Sequence, residues 1–379
     1  MTPLRVLVLG GYGFFGRRLV ERLSTQPRFH LIVAGRSQAK AEALIRELPK
    51  ALSTLEARAF DVNDAALAQD IRKLDVQVVV HTAGPFQAQD YRVARACIAA
   101  NTHYIDLADG RQFVCGIGCL NDEAVANEVS ILSGASSVPA LSSAVVDSLG
   151  KDLQLTHIDM GINPGNRADR GLATVAAILS YCGNPIRVWR EGVWTTVAGW
   201  SKHWRHAYPE PMRTRWLTHC DIPDLELFPA RYPGVQMVRF GAGLEVGLLH
   251  SALAFFSWAR RLRLLPNLAR FATFAKRASD LFLPFGTDTG GMYVRILGRD
   301  SEDRPVQRSW YLIAERGEGP YVPILATVAL LDRMASGDVL PIGAMPCMGV
   351  LSLRDFENAA KGLAIRMATN PPMRPTATR

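Results

Sequence analysis

The sequence predicts an α/β chain: a doubly wound parallel sheet, followed by a second α+β domain built on a mostly antiparallel sheet. Three observations predict it. Over residues 1–150, short valine- and leucine-rich runs alternate with helical stretches, the pattern of parallel strands joined by crossover helices. The loops rich in glycine and proline fall where those strands end. Past residue 150 the runs alternate apolar and polar residues and meet at tight turns, as antiparallel strands do.

Arg5–Leu9 reads as the first buried strand, and Phe15–Leu23 as the helix after it, with Leu19, Val20 and Leu23 on one face. His30–Ala34 is the second strand, and "QAKAEALIREL" after it is rich in helix formers. The third strand runs Glu56–Phe60 and ends at Asp61, with Asp64 placed to cap the next helix. Val76–Val80 is the fourth, breaking at Gly84-Pro85. "RVARACIAAN" is helical, and "HYIDLAD" and "VSILSG" supply the fifth and sixth strands. Val145, Leu149 and Leu153 share the face of a helix leading out of the first domain. Beyond it, "LTHIDMGI" is a strand and "IRVWREGVWTTV" a hairpin turning at Glu191-Gly192. "GVQMVRFG", "GGMYVRILGR" and "PVQRSWYLIAE" add strands, the last two as a hairpin around "DSEDR". "GPYVPILATVALLDRMASG" is a late amphipathic helix, and "NPPMRPTATR" reads as a frayed tail. The domains are therefore drawn at 1–150 and 151–379.

With 379 residues, 48% hydrophobic and 21% charged, the chain has the composition of a globular protein of two domains. Its net charge of +8 favours anionic ligands in a general way. No Lys/Arg block or zinc-finger spacing accompanies it, so no nucleic-acid partner is expected. Six cysteines without paired spacing read as free thiols. "MTPLRVLVLGG" is no signal peptide, because its apolar run Val6–Leu9 stops at glycine; a cytoplasmic location is expected.

Gly10, Gly11, Gly13 and Gly16 crowd the first turn. A strand, a Gly11-x-Gly13-x-x-Gly16 turn and a helix, in that order, form the context in which this spacing holds a dinucleotide, and they make the first domain Rossmann-type. Gly10 and Gly13 permit the turn and the pyrophosphate approach, Gly16 lets the helix pack on the strand, and the helix N-terminus faces the anion. Tyr12, Phe14 and Phe15 complete the loop. About 20 residues past Gly16, where NAD enzymes carry an acid for the ribose hydroxyl, stands Arg36. A guanidinium suits a 2′-phosphate, so NADPH is expected in preference to NAD, with Gly35 and Ser37 beside it. Asp61 and Val62, then Ala83, Gly84, Pro85 and Phe86, are the cofactor contacts expected from the next strand ends. Asp109 and Ser137 are the candidate catalytic residues by location.

Two features of the second half draw attention. His203, His206, His219 and Asp221 are loosely spaced, and "AYPEPMRTRW" breaks any helix joining them, so no metal is expected. The apolar run Val246–Ala259 is too short to span a bilayer and leads into a basic amphipathic stretch with Arg260, Arg261, Arg263, Arg270, Lys276 and Arg277. A pocket cover, a dimer contact and a peripheral membrane surface are the alternatives for 246–285. Its aromatic residues favour a cover over an apolar substrate.

"GGYGFFG", "AGRS", "TAGPF", "ARACIAANTHYIDLADG" and "SGASSVPALSSAVVD" together resemble the saccharopine dehydrogenase-like oxidoreductase family over residues 4–150, with a looser likeness at "DIPDLELFPARYPGV" and "EGPYVPILATVALL". The resemblance implies a nicotinamide dinucleotide domain, a substrate and dimerisation domain, and a helix near 320–336 that packs back onto the first domain. It implies an NADPH-dependent oxidoreductase, a homodimer, passing hydride to a C=N, C=C or C=O bond of a small or apolar metabolite held between the domains. "ASSVP" at 135–139 replaces the "DPG"-like segment of the amino-acid members, which argues against saccharopine or lysine chemistry. None of the nine tyrosines has a lysine four residues on, which argues against the short-chain dehydrogenase pair. The second reading is a non-catalytic dinucleotide-binding protein, acting in redox sensing or at a membrane surface.

Overall fold

The computed structural model describes residues 2–87, 89–169 and 171–373. The chain forms two compact units: unit 1 is Met1–Leu141 with Tyr321–Ala359, and unit 2 is Ser142–Pro320 with Ala360–Arg379. Unit 1 opens with β1 (Leu4–Leu9), α1 (Phe14–Ser24), β2 (Phe29–Gly35), α2 (Gln38–Arg46), β3 (Thr54–Ala59) and α3 (Leu67–Lys73). It continues through β4 (Val78–His81), α4 (Arg92–Ala99), β5 (His103–Asp106), α5 (Arg111–Gly116), α6 (Asn121–Ala126) and β6 (Ser130–Ser133). Unit 2 follows with α7 (Ser142–Gly150), β7 (Gln154–Asn163), α8 (Leu172–Tyr181), β8 (Pro185–Arg190), β9 (Val193–Ala198), β10 (His203–Ala207) and β11 (Thr214–His219). Then come α9 (Asp224–Arg231), β12 (Met237–Ala242), α10 (Gly247–Arg261), α11 (Ala272–Asp280), β13 (Gly290–Arg299) and β14 (Pro305–Ala314). The chain returns to unit 1 as α12 (Leu325–Ala335), β15 (Gly343–Pro346) and α13 (Leu353–Ala359), and ends in unit 2 with β16 (Ile365–Met373).

The unit 1 sheet has the order β15-β6-β5-β4-β1-β2-β3, with every pair parallel. Val6, Leu7 and Val8 of β1 have no exposed surface, because helices cover both faces of a parallel sheet. On one face Leu7, Ile32, Val79 and Ile131 pack with Val93, Cys97 and Ile98 of α4. The strand order reverses at β1, which has β2 on one side and β4 on the other. That reversal positions the site.

Three sequence expectations need correction here. The helix read as leading out of the first domain already belongs to unit 2: Arg231 and Tyr232 bond Asp147 of α7, and Arg308 donates to the Leu149 carbonyl. The extent 151–379 is also interrupted, by β15 and α13 as well as by the returning helix expected near 320–336, which is α12. β15 carries no strand signal, being four residues that begin with glycine and end with proline. Asp64 caps the turn ahead of α3, accepting from the Ala66 amide at 2.9 Å, and not the helix itself.

The unit 2 sheet is mixed, with order β10-β11-β12-β7-β13-β14-β16 and the β8–β9 hairpin attached to β12. Its pairs are antiparallel except β12 with β7. The β8–β9 turn places Glu191 and Gly192 at φ +56° and +74°, the double left-handed turn that matches strand twist. The segment read as a tail from residue 370 begins inside β16, which pairs with β14. β16 lies last in the strand order, and an edge strand tolerates Pro371 and Pro372. Residues 374–379 lie outside the described residues.

Candidate dinucleotide site

The site lies outside the carboxyl ends of the unit 1 strands, at the reversal between β1 and β4, where open parallel sheets hold ligands. After Leu9 the chain turns through Gly10, at φ +78°, into α1. The Gly10 and Gly11 amides donate to the Ala34 carbonyl at 2.9 and 3.0 Å, and Gly13 N–H donates to the Gly10 carbonyl at 2.7 Å. The Thr82 hydroxyl, just past β4, donates to the Leu9 carbonyl at 2.9 Å. The loop is thus held by β2 on one side and Thr82 on the other.

This footing decides what the glycines do. A Cβ on Gly16 would overlap the Gly10 carbonyl and lie 2.6 Å from Thr82 Oγ1. One on Gly13 would stand 2.9 Å from the Gly10 carbonyl oxygen, so Gly13 serves the fold of the loop as well as any ligand approach. Gly13 gives α1 no side-chain cap, and the first turn holds no acid. The amides of Phe14, Phe15 and Gly16 therefore have no intrahelical acceptor and lie at the positive end of an 11-residue helix, an anion site. Arg18 donates back to the Phe14 carbonyl at 2.6 Å and stacks over the Phe14 ring, which meets Phe15 edge-on.

At the end of β2, the Tyr12 hydroxyl accepts from the Ser37 amide at 2.9 Å. The Tyr12 ring lies where a Gly35 side chain would be, 2.6 Å from its Cβ position, so Gly35 is glycine for the sake of Tyr12. Ser37 caps α2, accepting from Lys40 N–H at 3.4 Å. Between these two fixed positions Arg36 is exposed and has no partner among the described residues. Next to β2, Phe60 N–H bonds the Gly35 carbonyl, and Asp61 accepts from Asn63 to close the turn that holds Val62.

After β4, Gln89 pins the loop by donating to the carbonyls of Ala83 (2.7 Å) and Pro85 (3.0 Å), across a cis Gly84–Pro85 bond. Phe86 turns inward and is buried against His81 and Phe113. Gly84 and Pro85 are exposed and Ala83 is half-buried, with the Phe86 ring as the anchor of the loop.

Asp106, which the sequence does not single out, fixes the next two loops. Its Oδ1 accepts from the amides of Ala108 (2.9 Å) and Gly134 (2.8 Å) and from Ser133 Oγ (3.1 Å), while its carbonyl accepts from Ala135. Burial raises its pKa to about 6. "DLAD" contains two acids, and only the pairing of β5 with β6 separates them. Asp109 is part-buried and accepts from Gln87 Nε2 at 3.0 Å, and burial raises its pKa from the ordinary carboxylate value. Ser137 is buried at the start of the tight turn Ser137–Leu141. The β5–β6 pairing makes the two loops neighbours, but among the described residues no hydrogen bond joins Asp109 to Ser137.

In unit 2, Arg239, Asp159 and Arg295 stand in register across β12, β7 and β13. Arg239 holds Asp159 through two bonds of 2.8 Å, Arg295 through one of 2.5 Å, and the Tyr293 hydroxyl donates at 3.1 Å. Burial pushes the Asp159 pKa up, but the two guanidiniums hold it below the usual value. His206 stacks on Tyr293 at 3.5 Å, whereas His203 Nδ1 lies 2.9 Å from His250 Nε2 of α10. The loose histidine set is thus divided, since residues three apart on a strand face opposite ways.

The segment 246–285, read as a cover over an apolar substrate, packs on its own unit and keeps an exposed aromatic face. The inner sides of α10 and α11 are filled by Leu179, Cys182 and Trp200 of their own unit, while Phe255, Phe256, Trp258 and Phe271 are exposed. An amphipathic pattern does not say which of two apolar faces is inward.

Fold and site together define a two-unit protein built to hold a dinucleotide. Residues 6–130 match the model of the saccharopine dehydrogenase NADP binding domain, so this part of the chain is similar to the NAD(P)-binding domain of that family. Two solved structures share the fold across nearly the whole chain. The apo saccharopine dehydrogenase (L-Glu forming) of Saccharomyces cerevisiae is 14% identical with a TM-score of 0.67, over 97% of this chain and 100% of its own. The homospermidine synthase of Legionella pneumophila, in complex with NAD, is 11% identical with a TM-score of 0.58, over 97% and 91%. At these identities the likeness is one of fold. No curated protein matches the sequence.

Proposed function

We propose that the protein is an NADPH-dependent oxidoreductase acting on a C=N, C=C or C=O bond of a small metabolite. The observation that carries the cofactor preference is Arg36, unpaired and exposed at the end of β2, where no acid stands to bind a ribose hydroxyl. The glycine loop and the first turn of α1 hold the pyrophosphate, and the Tyr12–Ser37 bond fixes the strand end that presents Arg36. Bound NADPH supplies the hydride. The loops after β4, β5 and β6 position the reacting carbon and exclude water, with Asp106 holding two of them together. Asp109 is the proton donor in this reading, because it stands just past the end of β5 with Gln87 fixing one of its oxygens, and burial shifts its pKa upward. Ser137 is the second candidate.

Calorimetric titration with NADPH and NADH tests the cofactor assignment. Arg36→Asp is expected to weaken NADPH binding by about tenfold to hundredfold, the scale of one or two charge-assisted bonds, and to leave NADH binding little changed. Equal losses for both cofactors would remove Arg36 from the site. For the chemistry, Asp109→Asn is expected to slow NADPH oxidation across a panel of imine, enoyl and carbonyl acceptors without changing NADPH affinity. Binding by the wild type with no turnover on any acceptor would favour the non-catalytic reading.

A further inference from the structure

The outer faces of α10 and α11 carry a feature that dinucleotide chemistry does not use. Leu248, Phe255 and Trp258 fall at i, i+7 and i+10 on one side of α10 and are 65%, 61% and 54% exposed. Phe255 rests against both Phe256 and Trp258, so these three side chains form a continuous patch. At α11 and its two caps, Phe271, Phe274 and Leu281 fall at i, i+3 and i+10 and are also exposed, Phe274 at 73% and Leu281 at 76%. The opposite sides are committed inward: Ser257 donates to the Gly199 carbonyl at 2.6 Å, His250 meets His203, and Leu268 and Ala272 join the cluster around Trp200. Apolar surface this concentrated is unusual on a soluble protein and marks a contact.

Charge says what kind of contact. Residues 246–286 hold six arginines and lysines and a single acid, Asp280, which pairs with Lys276 at 3.3 Å. Arg260 is bonded to Asn184 and Asn267. Arg261, Arg263, Arg270 and Arg277 are exposed and have no ion-pair partner among the described residues. A two-fold dimer through this patch would gather those four cations and their four copies in one contact, where the only acid of each segment, Asp280, is already paired with Lys276. No helix among the described residues is long and apolar enough to cross a membrane. Aromatic and leucine side chains between unpaired arginines are instead the composition of a helix lying in a headgroup layer, its apolar stripe in the acyl boundary and its cations on anionic lipid. We infer that α10 and α11 form a docking surface for an anionic lipid bilayer.

Flotation of the full-length protein with vesicles tests this. Binding is expected to vesicles of phosphatidylcholine and phosphatidylglycerol in equal parts, at least tenfold stronger than to pure phosphatidylcholine, and to fall as salt rises through the range where screening tightens. Phe255→Ser with Trp258→Ser and Phe274→Ser should lower binding at least tenfold. Arg261→Glu with Arg263→Glu and Arg277→Glu should do the same. All six side chains are exposed, so both variants should keep the wild-type melting curve. Absence of wild-type binding to the anionic vesicles overturns the inference, and so does undiminished binding in either variant. A dimer in sedimentation that the serine variant alone dissociates, with no vesicle binding by the wild type, would assign the patch to a second copy.

Discussion

Gly16→Val is expected to cost unit 1 about 3 kcal/mol or more and to remove most soluble protein. Two unyielding neighbours set the size of the effect: the Gly10 carbonyl, which a Cβ would overlap, and Thr82 Oγ1 at 2.6 Å. Neither retreats freely. Gly10 is tied to Ala34, and Thr82 is bonded to Leu9, so relief requires α1 to separate from β1 and β4 together. Gly13→Ala should be the milder change, at about 1–2 kcal/mol, since its single close neighbour lies at 2.9 Å and the loop has only to open slightly. Loss of the NADPH-induced rise in melting temperature should accompany it. Thermal melts of both variants with and without NADPH make the comparison. A Gly16→Val protein melting with the wild type would refute the close packing of α1.

The second large effect depends on pH. Asp224 opens α9, is fully buried, and accepts from Ser142 Oγ through Oδ1, while Oδ2 has no partner among the described residues. Burial raises its pKa from 3.8 to about 7. Between those values the unfolded chain has released the proton and the folded chain keeps it. Stability is therefore lost as pH rises from about 4 to about 7, and is level above that. Three pKa steps amount to a ceiling of ~4 kcal/mol. His81, His206, His219 and His250, whose pKa values burial lowers to about 4, act the other way, adding stability as pH rises toward 6.5. The wild-type profile alone is thus a sum of opposed slopes. The difference between Asp224→Asn and wild type isolates one of them, because the histidines and Asp106 cancel. Asparagine keeps the Ser142 bond and does not titrate. Its stability relative to wild type should climb across that window and then level off, as read by urea unfolding at about pH 4.5, 6 and 8. A difference that does not vary with pH would show that Asp224 is already ionised in the fold.

What was legible in the sequence follows the strength of local signals. β1, the glycine loop and α1 could be read because a continuous apolar run, a glycine cluster and a helical face follow each other without interruption. The Glu191-Gly192 turn could be read because its hairpin flanks are long. β15 and β16 could not: "GAMP" offers no alternation, and Asn370-Pro371-Pro372 contradicts a strand everywhere except at an edge. The role of Asp106 in holding two loops depends on Ser133, Gly134 and Ala135, which reach it only once β5 and β6 pair. The Arg239–Asp159–Arg295 ladder joins residues far apart in sequence, and strand register alone assembles it.

The return of the chain to unit 1 also sets an order of assembly on the ribosome. When residue 141 emerges, β1 to β6 are all available, but β6 ends the sheet with one edge unpaired. Its partner β15 is not made until Ser142–Pro320 of unit 2 has been synthesised, and Thr327 of α12, whose hydroxyl bonds the Ala135 carbonyl, also arrives late. Through that interval the nascent chain exposes an apolar strand edge of the kind that recruits other strands. A fragment cut at the boundary drawn from the sequence, residues 1–150, would keep that edge open permanently. Expressed alone, the dinucleotide-binding half should therefore need a chaperone or aggregate, whereas a splice of residues 1–141 to 321–359 would contain every strand its sheet requires.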